Sequence, residues 1–189
     1  MTTTKASLFA LMMGLVLLGS ACNKSTSAGP PRVAPGHTLE TMSVSSTSFP
    51  SGGRIPIEFT CDGKDVVPQL SFSAPPQGTQ SVVVVVDDPD APSGLFTHMI
   101  AYNLPADFHA VAEGADLTSA GARYGSNDFG NTRYNGPCPP KGEMHRYQFS
   151  AFALDRAMDV REGLNRAETD AQMDAHILAV GTLFGTFSH

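Results

Sequence analysis

The chain has no GxxxxGK followed by Ser or Thr, so no phosphate-cradling P-loop is present. It has no HExxH and no CxxC, which leaves no recognisable metal-ligand spacing, and neither a metal nor any other cofactor is assigned. It has no GxSxG, and no serine sits in a nucleophile elbow. Positive charge is scarce: 12 Lys and Arg stand against 18 Asp and Glu, with no basic patch, which argues against nucleic acid as a partner. There are only three cysteines. The one long apolar run, Leu8 to Leu18, is too short to span a bilayer.

That run follows a single early cation, Lys5, and leads into small residues ending at Cys22. This is the pattern of a secretory signal over residues 1–21, and a cysteine at the cleavage point points to a lipoprotein, with Cys22 the lipidated residue. The chain is then expected to be exported and held at the cell envelope through an N-terminal lipid anchor. Residues 22–38 are small, polar and rich in Pro and Gly, and read as a flexible tether. Residues 39–189 form one domain, long enough to bury a core. Cys61 and Cys138 make an even pair in an oxidising setting, either bridged to brace a Pro-rich loop or left as two buried thiols.

Within the domain the signals are mostly β. In "RIPIEFT", Ile55, Ile57 and Phe59 alternate with polar residues or proline, as in a half-buried strand. Five consecutive valines in "SVVVVVDDPD" suit a strand buried on both faces. "FTHMIAYNLP" places Phe96, His98, Ile100, Tyr102 and Leu104 on one face, and "HRYQFSAFALD" does the same for His145, Tyr147 and Phe149. One helix is predicted in "ETDAQMDAHILAVG". Thr169 is its N-cap with Gln172 completing a capping box, Met173, Ile177 and Val180 lie on one face, and Gly181 ends it. Many short strands with little helix predict a mainly β fold, an antiparallel β-sandwich with few peripheral helices.

Three polar features stand at strand ends. Asp88, in "DDPDAPSG", is either an ordinary Asp-Pro turn residue or a carboxylate able to hold a histidine or a ligand amine. His98 lies among apolar neighbours, as either a satisfied core residue or a ligand group, and His145 offers a second imidazole beside a stiff loop. That loop, "GPCPPKGEMHRYQF", has three prolines without an N–H, so it supplies shape while a few backbone donors and His145 supply polarity.

Taken in order, Asp88-Pro89-Asp90-Ala91-Pro92, "FTHMIAYNLP" and "GPCPPKGEMHRYQF" resemble the phosphatidylethanolamine-binding protein family, in particular its bacterial Raf-kinase-inhibitor-like (YbhB/YbcL) branch. "FTCDGKDVVPQLSF" and "GSNDFGNTRYNGPCPP" extend the resemblance over nearly the whole domain. It implies an antiparallel β-sandwich and a small cavity for a phosphate-like anion or phospholipid head group. It also implies binding without catalysis, with inhibition of a protease or other enzyme through the pocket-rim loops as the alternative. By motif match Asp88, Phe96, His98, Pro140, His145 and Tyr147 would line the cavity, with Gly136 and Cys138 contributing backbone. Phe96 stands where the family often has Trp, keeping a ring and losing an N–H donor. The chain stops soon after its last expected strand, which implies a more open pocket than in animal relatives. The expected mechanism uses His98 and His145 in protonated form, one ring oriented by Asp88, so that binding strengthens as pH falls toward the ordinary histidine pKa of ~6.5.

Overall fold

β-branched and aromatic residues set the architecture. The computed structural model describes Met1 and residues 32–189, so the expected signal, Cys22 and most of the tether lie outside the described residues. Two sheets form. The larger contains β1 (Glu40–Thr41), β4 (Ser81–Asp88), β5 (Phe96–Leu104), β7 (Arg123–Tyr124), β8 (His145–Leu154) and β9 (Ile177–Phe187), in the order β1-β9-β8-β4-β5-β7. The smaller contains β2 (Val44–Ser45), β3 (Leu70–Phe72) and β6 (Ala110–Val111). One α-helix, α1 (Arg166–Met173), is present among the described residues. The fold is mainly β, and its strand pairs are antiparallel except β1 with β9, which runs parallel.

The valine strand β4 is central and all eight of its residues are buried. Val82, Val84 and Val86 join a core shared by both sheets, with Leu70, Phe72, Val111, Phe149 and Leu183. Val83 and Val85 point the other way, toward Met158, Leu164 and Met173 beneath α1. Residues on both faces of one strand are thus removed from water, each large side chain contributing about 1.5–3 kcal/mol of transfer free energy.

Three expectations need correction. "RIPIEFT" is not a strand: Arg54 makes an isolated bridge to Thr186, and Ile57–Phe59 form a 3-10 turn. Pro56 has no N–H to give a ladder and begins the turn, leaving Ile57 exposed while Ile55 and Phe59 are buried. The helix is shorter and starts earlier than predicted. Its cap is Asn165, whose side chain accepts from Glu168 N while Glu168 Oε2 accepts from Asn165 N, both at 2.9 Å. Thr169 therefore lies inside the helix, fully buried. The chain turns at Asp174 and Ala175, the latter at φ 61°, and Ile177, Val180 and Gly181 belong to β9. Gly181 ends no helix. A Cβ there would meet Met42 O at 2.3 Å, so its role is to let two backbones approach.

The single face expected for β5 is also broken. Ile100 and Tyr102 enter the core beneath α1, whereas Leu104 joins Met99 and Ala101 in the core shared by the sheets. Asn103, at φ 62°, takes the irregularity between the Val82–Leu104 and Val84–Ala101 pairs. Upstream of β1, Val33 bridges Ile177, and Ala34 is buried with its N donating to Ile177 O.

Candidate functional site

A cavity of about 450 Å³ opens where β4, β5 and β8 end beside the Pro-rich loop. Six of the expected residues line it: Asp88, Phe96, His98, Cys138, Pro140 and His145.

β4 delivers two carboxylates to opposite faces. Asp87 turns toward α1, accepting from Thr97 Oγ1 at 2.7 Å and Arg166 Nε at 3.2 Å; burial raises its pKa. Asp88 turns into the cavity. Its Oδ1 accepts from Asp90 N at 2.8 Å, the ordinary turn bond, and its Oδ2 accepts from His145 Nδ1 at 2.7 Å. Both readings of Asp88 hold at once. His145 Nε2 lies 3.3 Å from Glu143 Oε2. Burial pushes the His145 pKa down, but its bonds to Asp88 and Glu143 outweigh burial, and the net direction is up.

His98 reaches the cavity through a β-bulge. The β4–β5 ladder passes from Val86–Met99 to Asp87–Thr97, leaving His98 without a partner. Such an extra residue bends the strand and re-aims its side chain. The ring then packs edge-on against Tyr147 at 5.3 Å. Its Nδ1 donates to Asn135 O at 2.8 Å and Gly136 O at 3.1 Å, so the hydrogen sits on Nδ1 and Nε2 is an acceptor in the neutral ring. Burial lowers the His98 pKa. The two imidazoles of the cavity thus shift in opposite directions, His145 toward its charged form and His98 toward its neutral form. Arg146, next along the chain, is committed to Asp90 at 2.6 and 2.8 Å, which draws the Asp90 pKa down to about 2.

Two further expected residues stand behind the wall. Gly136 N donates to Asp65 Oδ1 at 2.5 Å, so this N–H is already taken, and the Gly136 carbonyl instead orients His98. A Cβ at Gly136 would meet Phe59 O at 2.3 Å. Tyr147 is fully buried below the imidazole, its O–H without a partner among the described residues, and burial followed by the nearby Asp88 charge raises its pKa. The loop is tied down by a Cys61–Cys138 disulfide with Cα atoms 5.5 Å apart, and by Cys61 N donating to Pro137 O at 3.1 Å.

Ala91, Pro92, Ser93, Phe129 and Pro139 complete the lining, although none of them was named as a cavity residue from the sequence. The first three lie in the Asp-Pro turn. Phe129, within "GSNDFGNTRYNGPCPP", meets Phe96 edge-on at 4.9 Å and His98 at 5.3 Å. No local pattern marks it, because it comes from a distant loop held by Asn127, whose Oδ1 accepts from Phe129 N and Asn131 N. Asp65, at φ 56°, was also unmarked, and it anchors Arg133, Asn135 and Gly136 together.

The arrangement offers a proton-rich donor at His145, an acceptor at His98 Nε2, and an aromatic and proline rim. Residues 45–188 match the family model described as phosphatidylethanolamine-binding protein. A protein of Aquifex aeolicus named UPF0098 is 40% identical over 150 residues, covering 77% of this chain and 88% of its own. The crystal structure of a phosphatidylethanolamine-binding protein homolog from Chlamydia trachomatis superposes with a TM-score of 0.74 at 38% identity, covering 79% of this chain and 99% of that one. E. coli YbcL, described as a member of the mammalian PEBP family, gives a TM-score of 0.73 at 29% identity over 78% of this chain and 98% of its own.

Proposed function

The chain belongs to the phosphatidylethanolamine-binding protein family, and from that premise we propose that it binds, without turnover, a phosphate-bearing small molecule or phospholipid head group in the His98–His145 cavity. The observation carrying this reading is that one cavity holds two imidazoles, His145 bonded to Asp88 with its pKa raised and His98 bonded to two carbonyls with its pKa lowered. His145, with its raised pKa, can donate from Nε2 to a phosphoryl oxygen once Glu143 swings aside, and Glu143 is an exposed side chain free to do so. His98 Nε2 can accept from the P–OH of a monoanion. A phosphate monoester loses its second proton near pH ~6. Binding should therefore strengthen as pH falls from 8 to 6, because ligand and His145 both gain protons.

The two sheets, sharing one core, read as a β-sandwich that holds this cavity at its edge. Among the described residues no helix is long and apolar enough to cross a membrane. Attachment to the envelope would rest on the Cys22 lipid signal, with the domain exported. The test is an NMR titration of the histidine ring signals with phosphoethanolamine and inorganic phosphate. Saturable shifts at His98 and His145, but not at His109 or His176, are expected. Silence of both rings in the folded protein would overturn the reading.

A further inference from the structure

On the outer side of the cavity wall a second cluster of chemistry-bearing groups comes together. The sulfurs of Cys61 and Cys138 and a ring nitrogen of His189 all lie within 4.8 Å of one another. The Asp62 carboxylate adjoins this group through the ring, its Oδ2 2.7 Å from His189 Nδ1. On its other side the same ring has Nε2 2.8 Å from Pro139 O. A carbonyl can only accept, so Nε2 carries a hydrogen, and Nδ1 and Asp62 Oδ2 are two acceptors facing each other. At 2.7 Å the contact is a hydrogen bond, so a proton lies between them, which a metal ion would have to displace. A backbone carbonyl on the far nitrogen is also how metal-binding imidazoles are usually oriented.

We propose that Cys61, Cys138, His189 and Asp62 form a redox-gated metal site, closed as a disulfide and able, once reduced, to take a zinc-class ion. A tetrahedral zinc ion with sulfur at about 2.3 Å and nitrogen at about 2.0 Å spaces its donors roughly 3.3–3.8 Å apart. From the present cluster, with Cα atoms of the cysteines 5.5 Å apart, that spacing requires the reduced side chains to rotate apart. The chemistry balances with a dithiol reductant. It gives two electrons and two protons to the disulfide, producing two thiols and its own disulfide. Metal binding then displaces the two thiol protons and the proton shared by His189 Nδ1 and Asp62, and all three leave to solvent.

Either cross-link holds Cys138, which lines the cavity, beside Cys61. The wall is thus braced in oxidising conditions by sulfur–sulfur bonding and in reducing conditions by the ion. The ligand spacing was invisible in the sequence because Cys61, Cys138 and His189 lie far apart along the chain.

The experiment uses the full chain carrying Cys22→Ser, so that only this pair of thiols remains. It is reduced with a dithiol, freed of reductant without air, and titrated with Co²⁺ alone. One equivalent should produce a thiolate-to-cobalt band in the near ultraviolet with tetrahedral visible bands, displaced by Zn²⁺. The oxidised protein should give neither. His189→Ala and Asp62→Asn should each weaken Co²⁺ binding by about tenfold or more. Cys61→Ser should remove most of the charge-transfer band. Absence of the bands in reduced protein that keeps its near-ultraviolet circular dichroism would overturn the proposal. So would unchanged affinity in both His189→Ala and Asp62→Asn, which would leave a two-thiol site only. If reduction unfolds the chain, recovery of the dichroism on adding Zn²⁺ supports the site and failure to recover it overturns it.

Discussion

His145 Nδ1 stands 2.7 Å from Asp88 Oδ2, and both residues are at most 3% exposed. A strand end from the valine run and the first residue of β8 thus share one hydrogen, at the wall of the cavity. The pair keeps the His145 ring in one orientation and favours its charged form against the opposing effect of burial.

Asp88→Asn should therefore lower the His145 pKa, followed by the pH dependence of its ring proton shifts. A neutral amide keeps a polar contact but loses the charge that stabilises imidazolium. An unchanged titration would show that Glu143 alone sustains the shift.

The two imidazoles should contribute to stability with opposite signs. For His145 the folded pKa is raised. Its contribution is complete below the unfolded value of about 6.5 and is lost as pH rises through the folded value. For His98 the folded pKa is lowered. Its contribution is complete above about 6.5 and is lost as pH falls through the folded value. Urea unfolding across pH 5–8 should show the acid-side loss shrink in His98→Gln and the alkaline-side loss shrink in His145→Gln.

His145→Ala should weaken binding of phosphoethanolamine by about 1.5–3 kcal/mol, the range for a charged hydrogen bond, and flatten its pH profile. His98→Ala should cost less, about 1 kcal/mol, because a neutral acceptor is lost. Calorimetric titration at pH 6 and pH 8 separates the two. Equal losses at both positions would contradict the opposite directions of the two pKa shifts.

Gly136→Ala should destabilise the fold by about 1–3 kcal/mol, since its Cβ would press on the Phe59 carbonyl and the loop must shift to relieve it. The displaced loop should also loosen His98, whose Nδ1 depends on the Asn135 and Gly136 carbonyls. Thermal unfolding together with the His98 ring signal would register both effects. A variant with wild-type stability and an unmoved His98 would refute the account of this glycine.

The local sequence determined a good deal of this. Five valines in a row can only be satisfied by burial on both faces, and β4 is the central strand. Asp88, His98 and His145 were legible because their motif order matched a known family, whereas singly Asp88 also read as a turn residue and His98 as a core residue. Element types failed where a local rule had two solutions. Pro56 allowed a 3-10 turn in place of a strand, and Asn165 with Glu168 capped the helix one turn before Thr169 with Gln172. What only the tertiary structure decided depends on groups distant in the chain. The bulge at His98 arises from its register with β4, its lowered pKa from burial, and its ring orientation from carbonyls 37 and 38 residues away. Phe129, Asp65 and His189 acquire their roles through loops brought alongside, with no periodicity to announce them. Strand patterning is a short-range consequence of alternating side chains, whereas charge state and cavity shape follow from desolvation and packing, which exist only once the chain has folded.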